Sequence, residues 1–144
     1  MSENNIEVAS AEEMERLGEQ KLRELLSEER DSALIIQLIG DLGAGKTTFV
    51  RGMARSLGID AHITSPTFTV HKEYTSKDSK LELHHFDFYR LPDLGIMEGE
   101  LKELVQDPSN IIVVEWGGIL GDLARDAKVI KIERLDDERR VVLA

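Results

Sequence analysis

The chain has 144 residues, of which 41% are hydrophobic and 32% charged, a composition typical of one globular domain rather than a disordered chain. It contains no cysteine, which excludes a disulfide framework and a thiolate metal site. The formal net charge is −10 and no Lys/Arg-rich run offsets it, so strong direct binding of RNA or DNA is disfavoured.

Membrane insertion and export are also disfavoured. The longest nearly apolar run, Ala33–Ile39, is far shorter than the roughly 20 residues that a membrane span needs. The first ten residues lack the basic start and the apolar segment of a secretory signal. We therefore expect a cytoplasmic protein with no membrane association.

The first half of the chain predicts a strand, a helix, a strand and a second helix. Ile6–Val8 is a candidate short strand, and Ser10 with Glu13 forms a capping-box pair that opens an amphipathic helix. Ala33–Ile39 is apolar and β-branched, typical of a strand buried on both faces of a parallel sheet. A glycine-rich loop follows, and the next helix ends near Gly58.

The second half predicts a hairpin, a weaker helix, a buried strand and two final strands. Strands starting near Phe68 and at Leu81 are joined by a turn-like segment, and Gly99 interrupts the helix after them. A short helix is expected over "ILGDLARDA", residues 119–127, and two strands flank Asp136–Asp137. The predicted fold is one α/β domain over residues 1–144, a P-loop NTPase-like three-layer sandwich with a mixed, mainly parallel sheet.

The loop between the second strand and the second helix carries the clearest chemical signal. Gly40, Gly45, Lys46 and Thr47 match the pattern G-x-x-x-x-G-K-[ST], with a strand before it and a helix after it. Such a loop holds a polyphosphate with main-chain N–H groups and a helix N-terminus, while the lysine adds a positive charge and the threonine hydroxyl binds Mg²⁺. The residues expected to bind nucleotide here are Asp41, Leu42, Gly43, Ala44, Gly45, Lys46, Thr47 and Thr48.

Two carboxylates are candidates to support the metal ion. Asp87 lies in "HHFDFYR" and Glu115 ends the buried strand "IIVVEW". Either one is suited to hold Mg²⁺ while the other orients the attacking water, and the sequence leaves both assignments open. The catalytic candidates are therefore Lys46, Asp87 and Glu115, and the metal candidates are Thr47, Asp87 and Glu115.

Three other features have two interpretations each. The hydroxyls of Thr64, Ser65 and Thr67 suit a switch loop that senses the γ-phosphate, or an ordinary turn at Pro66. His84 and His85 point to opposite faces of a strand and cannot chelate one ion together, so they are expected in the core or on the hairpin surface. Trp116 packs in the core or anchors a partner.

Four segments in this order, "GDLGAGKTTF", "SPTFTV", "HFDFYRL" and "VEW", resemble the TsaE family of ATPases of tRNA threonylcarbamoyladenosine biosynthesis. The resemblance covers about Ile6 to Trp116. One departure is Gly117–Gly118, where many members carry a proline after the tryptophan.

The resemblance implies the activity, the cofactors and the partners. It implies ATP and Mg²⁺ as cofactors, ATP binding at Lys46 and Thr47, a switch-like loop from Thr64 to Thr67, and roles in metal binding and hydrolysis for Asp87 and Glu115. It also implies binding to a TsaB–TsaD heterodimer, which transfers threonylcarbamoyl groups to A37 of ANN-decoding tRNAs. The tRNA would then be reached through the complex, in agreement with the acidic composition.

Three other functions compete with a partner-dependent ATPase. A small-molecule kinase needs an acceptor pocket and an arginine-bearing lid, but the segment between Asp87 and Glu115 offers one arginine, Arg90. A GTPase-like switch is disfavoured because the chain has no N/T-K-x-D guanine-reading element. A structural protein with an inactive loop is disfavoured because every expected phosphate and metal group is present.

Overall fold

The computed structural model of the chain describes residues 5–41, 43–59, 63–64, 70–77, 79–89 and 91–143. The strands are β1 Asn5–Val8, β2 Leu34–Ile39, β3 His71–Thr75, β4 Glu82–Asp87, β5 Asn110–Glu115, β6 Lys128–Arg134 and β7 Arg140–Leu143. The helices are α1 Ala11–Leu26, α2 Lys46–Ser56 and α3 Met97–Val105. None of these helices combines the length and the apolar character needed to cross a bilayer.

The seven strands form one mixed sheet in the order β1-β7-β6-β2-β5-β4-β3. The four central strands β6, β2, β5 and β4 are parallel, while β3 on one side and β7 and β1 on the other pair antiparallel. The predicted mixed sheet is therefore confirmed, with its parallel part at the centre. Parallel strands end at the same edge of a sheet, so the segments that follow β2, β4 and β5 meet there.

The sheet lies between two layers of helices, which confirms the predicted three-layer sandwich. Alternate residues of β5 enter different cores: Ile111 and Val113 pack on the side of α1 and α2, and Ile112 and Val114 pack on the side of α3. This alternation follows from the period of two in a strand, and it explains why both faces of β5 are apolar.

Helices α1 and α2 cross closely through two glycines. A Cβ atom on Gly18 would lie 2.2 Å from the carbonyl oxygen of Phe49, and one on Gly52 would lie 1.8 Å from that of Glu15. Both distances are far below van der Waals contact, so each position requires glycine. The close crossing fixes α2 against α1, and with it the loop that precedes α2.

The helix ends behave mostly as predicted. Ser10 Oγ accepts a hydrogen bond from the Glu13 N–H, and Glu13 Oε2 accepts one from the Ala9 N–H. Gly58 follows α2 with a positive φ of 71°. The short helix expected over residues 119–127 is present as 3₁₀ rather than α structure: the chain forms two 3₁₀ turns, Gly117–Ile119 and Gly121–Ala124, on either side of Leu120, and Gly121 has a φ of +58°.

Candidate phosphate-binding site

The loop between β2 and α2 has the backbone geometry that its glycines predict. Gly43 and Gly45 have φ values of 79° and 108°, in the left-handed region that favours glycine. Helix α2 begins at Lys46, so Thr47 and Thr48 lie in its first turn, where the N–H groups have no partner within the helix. Asp41 is exposed and Ala44 is buried, whereas Leu42 lies outside the described residues.

Lys46 is buried beside this loop and is surrounded by acceptors. Its Nζ donates a hydrogen bond to the Gly40 carbonyl oxygen at 2.5 Å and lies 3.5 Å from Glu115 Oε1. The same ammonium group lies 5.3 Å from the centre of the Trp116 ring, within the range of a cation–π interaction. The lysine is thus already held at the end of the sheet.

The two predicted carboxylates lie side by side. Asp87 and Glu115 end the parallel neighbours β4 and β5 and are direct register partners. They are only 4% and 3% exposed. The Phe88 N–H donates to the Glu115 carbonyl oxygen at 3.0 Å, and Asp87 Oδ1 accepts the Tyr89 N–H at 2.9 Å. Buried carboxylates at this edge are suited to bind a cation or a water molecule.

Sequence reasoning missed His85 as part of this group. His85 is fully buried, and its Nε2 lies 2.6 Å from Glu115 Oε2, so it donates a hydrogen bond to that carboxylate. Its Nδ1 is buried and has no hydrogen-bond partner among the described residues. The available signal was the period of two, which places His85 on the same strand face as Asp87.

Trp116 forms a partly exposed wall of the site rather than part of the core. Its side chain is 43% exposed, and its ring lies 4.9 Å from that of Tyr89. It has a left-handed backbone with φ 58° and ψ 47°, which costs a non-glycine residue roughly 1–2 kcal/mol. The turn places the indole next to Lys46, which an extended continuation of β5 would not do.

The Thr64 loop is only partly described. Lys72 on β3 donates a hydrogen bond from Nζ to Thr64 Oγ1. Ser65 and Thr67 lie outside the described residues, so their predicted roles stay predictions. His84 and His85 face opposite sides of β4, as expected, and both are buried.

Two open clefts flank the glycine loop. One measures 660 Å³ and lies between the ends of β2 and β6 and the Trp116 turn, with Gly40, Asp41 and Lys46 in its wall. The other measures 400 Å³ and lies between the start of α1, the turn before β7 and the glycine loop, with Gly43, Gly45 and Thr48 in its wall. The loop therefore has open space on both sides.

A three-layer sheet with this loop at the end of a central strand, and carboxylates at the ends of two neighbouring strands, defines a P-loop α/β protein. The comparison with family models is more specific. The family model described as "Threonylcarbamoyl adenosine biosynthesis protein TsaE" matches residues 8–142. The chain therefore belongs to the TsaE family.

Individual relatives agree with this assignment. The tRNA threonylcarbamoyladenosine biosynthesis protein TsaE of Haemophilus influenzae is 33% identical over 90% of this chain and 82% of its own length. The TsaE protein of Bacillus subtilis is 40% identical over 75% of this chain, which spans 66% of that relative. The crystal structure of Bacillus subtilis YdiB matches with a TM-score of 0.72 and 29% identity, covering 99% of this chain and 84% of that one.

Proposed function

We propose that this chain binds and hydrolyses Mg²⁺–ATP and thereby supports threonylcarbamoyl modification of A37 in ANN-decoding tRNAs, together with a TsaB–TsaD heterodimer. One observation carries the proposal: Lys46, Glu115 and His85 form a buried, connected group beside the glycine loop, and Asp87 adjoins Glu115. The names of the family and of its relatives supply the tRNA pathway.

Lys46 is held where a bound phosphate would recruit it. Its present partners are the Gly40 carbonyl and one oxygen of Glu115. A polyphosphate on the N–H groups of the loop and of the first turn of α2 would offer the ammonium group a more highly charged partner. If the ammonium group of Lys46 moved to the phosphate, it would no longer contact Glu115 Oε1. The hydrogen bond from His85 to Glu115 Oε2 would remain.

That exchange favours separate roles for the two carboxylates. Glu115, fixed by His85 and relieved of Lys46, is placed to accept a proton from an attacking water. Asp87 and the Thr47 hydroxyl offer hard oxygen ligands, which fit Mg²⁺. The ion would neutralise charge on the phosphate oxygens when bound. The sequence left this choice open, and we propose Asp87 for the metal and Glu115 for the water.

The 400 Å³ cleft is the space in which we place the nucleoside. In a phosphate loop the γ-phosphate lies toward the catalytic carboxylates, and the other end of the nucleotide leaves past the first turn of the helix. Thr48 lies in that turn and in the wall of this cleft. The remaining wall comes from the start of α1, from the turn before β7 and from Arg140, the first residue of β7, which offers a cation.

Partners and tRNA follow from the same proposal. The formal charge of −10 disfavours strong binding of tRNA by this chain alone, so tRNA would be engaged through the complex. Trp116, partly exposed at the mouth of the site, would let the state of the nucleotide influence a docked partner.

The experiment that tests the proposal has two measurements. Calorimetry with the purified chain should detect one ATP in the presence of Mg²⁺, and phosphate release should be slow alone and faster when TsaB–TsaD is added. Absence of ATP binding both with and without the partners would contradict the proposal. Transfer of the phosphate to a small-molecule acceptor would favour a kinase instead.

A further inference from the structure

A second group of ligating side chains lies on the opposite face of the β3–β4 hairpin from the phosphate site. His71 and Glu73 belong to β3, and His84 belongs to β4, where it is the register partner of Glu73. The three residues share one face because they are two apart on a strand or paired across it. One ligand atom from each lies within 4.8 Å of those of the other two.

The two imidazole rings have the separation of metal ligands. His71 Nε2 lies 3.1 Å from His84 Nδ1, and the ring centres are 5.3 Å apart. Two nitrogens bound to one tetrahedral ion at about 2.0–2.1 Å stand about 3.3 Å apart. The His71 ring is held in place by stacking on Phe86, with centres 4.0 Å apart and planes 8° apart.

The surroundings of His84 determine which of its nitrogens carries the proton. Its Nε2 lies 3.3 Å from Asn110 Oδ1 and 3.3 Å from Glu82 Oε2. The Asn110 amide is oriented by its Nδ2, which donates to the Leu104 carbonyl oxygen at 3.0 Å. Two facing oxygens favour the tautomer with its hydrogen on Nε2, in which Nδ1 presents a lone pair to His71.

The same reasoning applies to His71. Its Nδ1 lies 3.3 Å from Glu100 Oε1 on α3, which places the proton of the neutral ring on Nδ1 and a lone pair on Nε2. In these two tautomers the lone pairs of His71 Nε2 and His84 Nδ1 face each other, and each ring is held from behind by an oxygen, the arrangement found around metal-binding histidines.

We propose that His71, Glu73 and His84 form a binding site for a divalent transition-metal ion of the zinc class. Two imidazole nitrogens and one carboxylate suit Zn²⁺ or Co²⁺, whereas Mg²⁺ prefers oxygen ligands alone. Glu73 is exposed, so a fourth position is open to water. Glu100, Glu82 and Asn110 orient the two rings and add negative charge.

The site joins the edge strand of the sheet to the strand that carries Asp87. Val70, directly before His71, accepts a hydrogen bond from the Asp87 N–H at 2.8 Å. A metal ion across β3 and β4 would fix this end of the hairpin, and binding to the folded state alone raises stability. The proposal does not depend on nucleotide binding, because the two sites lie on opposite faces of β4.

The test uses the full, untagged, metal-stripped chain without nucleotide. Co²⁺, whose visible absorption reports nitrogen and oxygen ligation, is titrated first, and Zn²⁺ or excess Mg²⁺ is then added as a competitor. We expect one Co²⁺ per chain, displaced by Zn²⁺ and not by Mg²⁺, and a Zn²⁺-dependent rise in Tm. Calorimetry with Zn²⁺ gives the affinity.

Matched variants decide whether these residues are the ligands. His71→Gln should abolish the Co²⁺ bands, and Glu73→Gln should weaken Zn²⁺ binding at least tenfold. Glu98→Gln, which removes an exposed α3 carboxylate paired with Lys102, should bind like the wild type. His71 and Glu73 are not core residues, so both variants should fold. Circular dichroism checks that they do. Absence of Co²⁺ bands in the folded wild type, or bands unchanged in His71→Gln, would overturn the proposal.

Discussion

His85 Nε2 and Glu115 Oε2 lie 2.6 Å apart, and both residues are buried. The histidine fixes one carboxylate oxygen, and Lys46 contacts the other at 3.5 Å. We expect this hydrogen bond to keep the carboxylate oriented when the lysine moves to a bound phosphate. We therefore propose that His85 is a positioning residue that acts through Glu115.

Replacing His85 with Phe tests this relationship. The ring is kept but the donor is lost, so kcat for ATP hydrolysis should fall about tenfold or more while KM changes little. The unpartnered acceptor should also destabilise the fold by about 1–3 kcal/mol. Steady-state kinetics and denaturant unfolding measure the two effects.

A double-mutant cycle with Glu115→Gln supplies the control. If the two side chains act as a pair, their effects on stability will not add, and the coupling should be about 0.5–3 kcal/mol. Additive effects of the two substitutions on stability would show that His85 does not act through Glu115. A His85→Phe variant with a raised KM and an unchanged kcat would show the same.

Lys46→Ala should weaken ATP binding. An ammonium–phosphate hydrogen bond contributes about 1.5–3 kcal/mol, so the Kd measured by calorimetry should rise roughly 10- to 150-fold. Lys128→Ala removes the same charge from an exposed position near Glu28 and serves as the control. Equal effects of both variants would mean that Lys46 contributes only overall charge.

Asp87→Asn and Glu115→Gln should separate metal binding from water activation. Loss of a metal ligand should raise the Mg²⁺ concentration needed for half-maximal hydrolysis at least tenfold, and we expect this only for Asp87→Asn. Glu115→Gln should lower kcat at saturating Mg²⁺. Mg²⁺ titrations of hydrolysis measure both quantities, and the reverse pattern would exchange the proposed roles.

Gly52→Ala should destabilise the protein because the new methyl group would meet the Glu15 carbonyl oxygen. We expect a loss of about 1–3 kcal/mol in the free energy of unfolding, the usual cost of overpacking. Gly99→Ala is the matched control, since no atom lies within 4 Å of its added Cβ in α3. Gly99→Ala should raise the free energy of unfolding by about 0.4–1 kcal/mol. Denaturant unfolding compares the two.

Asp136 gives a prediction on pH. Hydrogen bonds from the Glu138 N–H, the Arg139 side chain and the Arg139 N–H lower its pKa to about 2. Because the folded pKa lies below the ordinary value of 3.8, the carboxylate stabilises the turn before β7 above that pH and loses this effect as pH falls toward 2. NMR titration of the Asp136 carboxyl carbon measures the pKa, and an ordinary value would contradict these hydrogen bonds.

The sequence predicted most of the fold because its signals are local. Apolar, β-branched runs indicated β2 and β5, and the capping pair Ser10 and Glu13 indicated the start of α1. The short helix expected over residues 119–127 forms as 3₁₀ turns, and its type was not predictable because the side-chain pattern does not report the positive φ at Gly121.

The sequence by itself determined the phosphate loop and placed Asp87 and Glu115 at strand ends, since motif spacing and strand period depend only on neighbouring residues. Tertiary structure decided which side chains meet across strands. The pair His85–Glu115 spans 30 residues and depends on the register of β4 with β5. The group His71, Glu73 and His84 depends on the register of β3 with β4, which is fixed by packing and hairpin geometry rather than by any local pattern.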